Sequence, residues 1–160
     1  MMLAYYFVRL IETHSDALAS KLLNKVQQSG STRAYSGVPP KELQQRVYEI
    51  YEHLGDWVLG KKDVDIQRRY REIGARRYHQ QVPLSELIWA IVLTKQNLWE
   101  FLTLESIVDG PVRVFGELEA LQLLSQFFDR AIYYAAMGYE EAREADQVTE
   151  SSTVERDKKL

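Results

Sequence analysis

Apolar residues recur along this chain at spacings of three and four, the interval that gathers them on one face of an α-helix. No stretch sustains the two-residue alternation of a half-buried strand. The first helical run covers about residues 3–28, with Phe7, Leu10, Ile11, Leu18, Leu22 and Val26 inward. It ends at "SGSTRAYSGVPP", where glycine, serine and proline break the pattern. A second helix begins near Pro40, since proline is tolerated in a first turn, and carries Leu43, Val47, Ile50, Leu54 and Trp57 in a heptad-like series. After the short turn "LGKKD", a third covers about 63–80 and buries the narrower stripe Ile66, Tyr70 and Ile73.

Pro83 opens the fourth helix, with Glu86 placed near the positive end of its dipole. It runs to about 107, with Leu84, Leu87, Ile88, Ile91, Leu98 and Leu102 on one stripe. "DGPVRVFG" reads as a connection, and the fifth helix, about 116–145, buries Leu121, Leu124, Phe128, Ile132, Ala135 and Tyr139. Beyond it, "DQVTESSTVERDKKL" has almost no large apolar residue and reads as a polar, flexible tail. The expectation is an all-α, single five-helix bundle-like domain over residues 1–145, with globin-like packing of the same helices left open, and a tail over 146–160.

A chain of 160 residues hides about 70% of its unfolded surface, enough for an ordinary core without cross-links. Cysteine is absent, which removes thiol catalysis and cysteine metal sites and fits a reducing cytoplasm. Lysine and arginine (20) nearly balance aspartate and glutamate (23), a net charge of −3 that argues against general nucleic-acid binding. The first residues show neither a basic leader nor a cleavage pattern, and no apolar run reaches the ~20 residues of a membrane span. Neither membrane nor nucleic acid is therefore expected as a partner.

Catalytic signatures are missing: no phosphate-binding glycine loop, paired-histidine metal helix or nucleophile elbow occurs, so no enzyme, cofactor or metal is expected. His14 falls on the apolar side of the first helix, where a core histidine with bonded ring nitrogens is the plain reading and a haem ligand the sharper one. "RRYREIGARRYH" is dense in arginine, yet Asp65 and Glu72 lie among the cations, as on a solvated face. Arg77 differs, because it shares the inner side with Ile66, Tyr70 and Ile73; it is expected to be partly buried and paired with an acid. Lys95 sits in the apolar stripe of the fourth helix. It either lays its stem over that stripe with the amine in water, pairs with a buried carboxylate, or faces a ligand cavity.

Two outward features exceed what one core needs. Trp89 and Leu93 lie opposite the main stripe of the fourth helix, and Leu123, Phe127 and Tyr134 form a second stripe on the fifth. Large aromatic patches rarely stay bare, so these five residues are the expected surface of a homodimer.

The order of motifs resembles a known family. "DALASKLLNKV", "STRAY", "ELQQRVYEIYEHLGDWVLG" and "YREIGARRYHQQVPLSELIWAIVLTKQNLWEFL" are similar to the N-terminal domain of RsbRD-type proteins, the RsbT co-antagonists linked to stressosome signalling in bacteria. The resemblance covers about residues 12–140 and implies an all-helical regulatory domain, set ahead of a STAS, transcription-factor or other output domain. Against that pattern, the reading expects no output domain after the fifth helix. Two functions are then expected as alternatives. One is a non-enzymatic, cytoplasmic, dimeric signalling domain whose partner is a STAS protein, a kinase or another regulator. The other is a small-molecule sensor with His14, Arg77 and Lys95 around a pocket between the first, third and fourth helices.

Overall fold

The computed structural model describes residues 2–60, 63–105 and 111–159, and no strand occurs among them. Seven α-helices follow in order: α1 Met2–Thr13, α2 Ser15–Gln28, α3 Pro40–Glu52, α4 Leu54–Gly60, α5 Asp63–His79, α6 Leu84–Glu105 and α7 Pro111–Lys158. A 3-10 segment, Gly30–Gly37, joins α2 to the approach to α3. The fold is all-α, as the spacing predicted. The turn expected at residues 59–63 lies partly, and the end of the fourth helix at about 107 wholly, outside the described residues.

The first two expected helices are each broken once, and a histidine stands at both breaks. His14 has φ −106° and ψ 18°, and His53 has φ −101° and ψ 7°, in the sparsely populated bridge region. At the first break, side chains bond carbonyls of the preceding turn. His14 Nδ1 lies 2.9 Å from the Leu10 carbonyl, which can only accept, so that nitrogen carries the proton. Ser15 Oγ donates to the Glu12 carbonyl at 2.9 Å. Apolar spacing runs unbroken through such a kink, which is why periodicity alone could not reveal it.

The two breaks are tied together. Glu12 Oε1 accepts a 3.1 Å hydrogen bond from the Gly55 amide, filling a donor in the first turn of α4 that has no partner within its own helix. The contact needs a glycine: a Cβ on Gly55 would sit 2.1 Å from Glu12 Oε1 and 2.7 Å from a Val8 methyl.

The core runs through every helix from α1 to α7, with Phe7, Leu18, Tyr51, Leu54, Tyr70, Leu98 and Phe128 among its most enclosed side chains. Its tightest seam joins α5 to α7 in antiparallel contact. A Cβ at Gly74 would lie 2.0 Å from the Ala135 carbonyl oxygen, and one at Gly138 would lie 2.1 Å from that of Arg71. Buried Ala131 and Ala135 continue this narrow face of α7, so the two backbones touch. Arg71 closes the seam by donating to both oxygens of Glu141 at 2.8 and 2.7 Å.

Buried polar groups are matched across helices. Tyr51 donates to the Thr94 carbonyl at 3.0 Å, and Asn97 Nδ2 donates to the Leu18 carbonyl at 3.0 Å and to the Tyr51 oxygen at 3.2 Å. This small network fixes the register of α2, α3 and α6 in an otherwise oily interior.

The last helix is longer at both ends than its apolar pattern. It starts at Pro111 rather than near 116, using proline's fit to a first turn, and ends at Lys158 rather than about 145. Residues 143–159 are exposed, and Ser/Thr hydroxyls at 149, 151, 152 and 153 bond carbonyls four residues back. The segment expected as a flexible tail is thus helical, held by local bonds and by the continuity of the helix preceding it.

Candidate functional site

On α3, Glu42, Arg46 and Glu49 recur at four and three residues; on α5, Arg69, Glu72 and Arg76 recur at three and four, with Gln80 just past its end. The two charged faces meet in antiparallel register, Glu49 with Arg69 and Glu42 with Arg76. The helices are bridged by long side chains rather than by backbone contact, and that separation leaves open space between them.

The larger space is a groove of about 1320 Å³ among α1, α3, α4 and α5. Tyr5, Arg9 and Glu12 line it from α1, Gln45, Glu49 and Glu52 from α3, Gly55, Asp56 and Trp57 from α4, and Asp65, Arg68, Arg69 and Glu72 from α5. His53 lies at its edge, with Nε2 3.9 Å from Glu52 and Nδ1 3.6 Å from Asp56. The second helix break therefore borders the groove, and Glu12, two residues before the first, lines it. The smaller space, about 60 Å³, is lined by Arg46, Arg69, Glu72, Ile73, Arg76 and Arg77.

Around the smaller recess, four guanidinium groups share two bridging carboxylates. Glu49 serves both Arg46, at 3.7 Å, and Arg69. Glu42 Oε1 accepts from Arg76 at 3.2 Å, Arg77 at 3.4 Å and Gln80 at 3.1 Å. Burial works to raise the Glu42 pKa, but the Gln80 hydrogen bond and the charges of Arg77 and Arg76 outweigh it and hold the carboxyl below its ordinary value. Arg77 is 3% exposed and paired, as its position inside the α5 stripe predicted; Gln80 Oε1 takes a second bond at 2.6 Å. Its guanidinium lies 5.6 Å from the centre of the Tyr35 ring, and burial pushes the Tyr35 hydroxyl up to about 12.

The three expected ligand residues occupy separate environments. Arg77 lines the small recess, whereas neither His14 nor Lys95 lines the groove or the recess. His14 is half-buried, bonded to the Leu10 carbonyl and 5.2 Å from the Phe101 ring centre. Lys95 is half-buried and has no ion-pair partner among the described residues. The buried ion pair that one of its three readings requires is therefore not formed among the described residues.

The expected interface residues divide. Trp89 is 38% exposed, and Leu93 and Leu123 are half-buried. Tyr134 is half-buried and donates to Asp63 Oδ2 at 2.9 Å. Phe127 is a correction: at 3% exposure it belongs to the core of the single chain. It stacks on Trp57, with centres 5.7 Å apart and planes 14° apart, and meets Tyr70 and Phe128 edge-on. The break at His53 starts a new helix that carries Trp57, and the Trp57 ring covers Phe127. Reading α3 and α4 as one helix missed this contact. It also missed the Glu12–Gly55 tie and the shared carboxylates of α3, although the matched spacing of charges on α3 and α5 was a signal for the latter.

Among the described residues, no group of three or more histidines and carboxylates is placed to hold a metal ion, and no helix is long and apolar enough to cross a membrane. The chain belongs to the family of the RsbT co-antagonist protein rsbRD N-terminal domain, which it matches over residues 16–153. That family is one of stress-response signalling domains of the stressosome context, linked to STAS-type proteins. No curated protein and no solved structure matches the chain significantly.

Proposed function

We propose that this domain signals without catalysis, by protein contact, and that α7 is the element through which it acts on a partner. The observation carrying the reading is the form of α7: 48 residues in one helix, gripped along α5 at Gly138 and exposed over residues 143–159. A shift in packing at the α5 seam moves the whole helix, because a continuous helix transmits displacement along its axis. The partner is a STAS-type protein or another cytoplasmic regulator, consistent with family membership and the lack of cysteine. Ending the chain after Asp146 tests this. The expected result is a far-UV signal reduced only by the helix removed and an unchanged melting temperature, with loss of the stress-response output in the host; a full output from the shortened chain would overturn it.

The domain acts as a homodimer in this reading. Trp89 and Trp99 stand on the outer side of α6 at 38% and 39% exposure, ten residues and about 15 Å apart along the helix. Aromatic residues are enriched at protein interfaces relative to the rest of the surface. Sedimentation equilibrium should give a dimer that Trp89→Ala weakens by tenfold or more, on the order of a hot-spot residue. A monomer at high concentration would refute it.

The small-molecule alternative is favoured by a separate observation, the charged space between α3 and α5. A thermal-shift screen of metabolites tests it, since a true ligand raises the melting temperature by mass action.

A further inference from the structure

We propose that the recess between α3 and α5 is a binding site for one tetrahedral oxyanion, a phosphate group, held by Arg46, Arg69, Arg76 and Arg77. The site deepens the small-molecule alternative and does not depend on the α7 reading.

Size supports it first. The recess is about 60 Å³, several times the ~10–15 Å³ that one buried water requires, and so has room for one small polyatomic ion. Charge supports it next. Four of the six lining residues are arginines, and with Glu72 in the lining and Glu42 and Glu49 at the rim, four positive charges face three negative ones. Each rim carboxylate already divides itself between two guanidinium groups. An arginine offers five donors in a planar fork, far more than such sharing can use, and phosphate oxygens are the acceptors that fork geometry matches best.

A third observation is independent of charge. The Nε–H of Arg69 is buried and has no acceptor among the described residues. A buried guanidinium donor without a partner has lost its hydration with nothing in return, so the position is one where an added acceptor is rewarded. Burial, and then the charge of Arg46, also push the Arg69 pKa below its ordinary value, against the pull of Glu72. A bound anion would relieve both effects. Because Arg77 and Glu42 join the recess to Tyr35 in the 3-10 segment, an occupant would be felt beyond α3 and α5.

The test uses the full chain, with inorganic phosphate and glycerol phosphate as probes and sodium chloride at matched ionic strength as control. Expected results are a saturable rise in melting temperature and broadening of the phosphate ³¹P resonance, neither seen with chloride. A response to inorganic phosphate assigns the free ion as ligand; a stronger one to glycerol phosphate assigns a phosphomonoester. Arg46→Gln and Arg69→Gln should each weaken binding by about tenfold or more, the worth of a charge-assisted hydrogen bond. Their side chains are 29% and 27% exposed. If either variant unfolds, Arg76→Gln, at 44% exposure, replaces it with the same expected loss. The proposal is overturned by the absence of a saturable phosphate response, by an equal response to chloride, or by undiminished binding in the variants. Tighter binding of duplex DNA through the same arginines would overturn it in favour of a nucleic-acid surface.

Discussion

Replacing Gly138 with alanine sets two effects of opposite sign against each other. In a helix interior, glycine to alanine stabilises by about 1 kcal/mol through backbone entropy. Here the new methyl would stand 2.1 Å from the Arg71 carbonyl oxygen, 2.6 Å from its Cα and 2.7 Å from its carbonyl carbon. These are backbone atoms of a packed helix, so no side chain can swing aside; α5 and α7 must separate by about 1 Å. Overpacking of this kind costs about 1–3 kcal/mol, and a rigid backbone neighbour places it at or above the upper end. The expected net effect is a loss of about 1–2 kcal/mol, or roughly 2–8 °C in melting temperature for a chain of this size. Gly74→Ala, facing the Ala135 carbonyl at 2.0 Å, should behave alike. Since both methyls open the same seam, the double variant should cost less than the sum of the two. Urea unfolding followed by far-UV circular dichroism measures all three. Stabilisation by Gly138→Ala would refute the close seam, leaving only the helix preference to act; strict additivity would refute the shared gap.

Four further outcomes follow from the same geometry. Phe127→Ala should lose about 3–5 kcal/mol of stability, the range for an emptied aromatic core site, and leave the dimerisation constant unmoved; sedimentation with chemical unfolding separates the two effects. Tyr51→Phe removes the bonds of its hydroxyl to the Thr94 carbonyl and to Asn97, so unfolding free energy should fall by about 1–3 kcal/mol for the two together. Glu42 has a depressed pKa in the fold, so its contribution is present above its unfolded value and lost as pH falls through the lower folded one. In an acid stability titration, Glu42→Gln should flatten that part of the curve, and an unchanged slope would contradict the assignment. Lys95→Met should hold or raise the melting temperature, because no ion pair is broken among the described residues; a loss of several kcal/mol would reveal a buried charge pair.

Much of the helical organisation was legible in the chain. Leu43, Val47, Ile50 and Leu54 announced themselves by spacing, and all are buried. Arg77 was recognisable as inward-facing because a cation on the line of Ile66, Tyr70 and Ile73 must find a partner when that line is buried. The family resemblance matched as well, its motifs all lying within residues 16–153. Less was legible in the candidate site. Glu42, Arg46 and Glu49 form a shared charged face only once α5 is laid opposite them.

Order and periodicity along the chain decided which face of each helix turns inward, because apolar burial acts on every residue in proportion to its own surface. Where helices break, and what meets across them, only the assembled structure decided. The kink at His53 leaves the apolar rhythm untouched, yet it starts the helix whose Trp57 covers Phe127, turning an expected contact surface into core. The recess of arginines likewise belongs to no single segment. It exists because α3 and α5 are held apart by long side chains, a separation set by how all the other helices pack and written in no local stretch of residues.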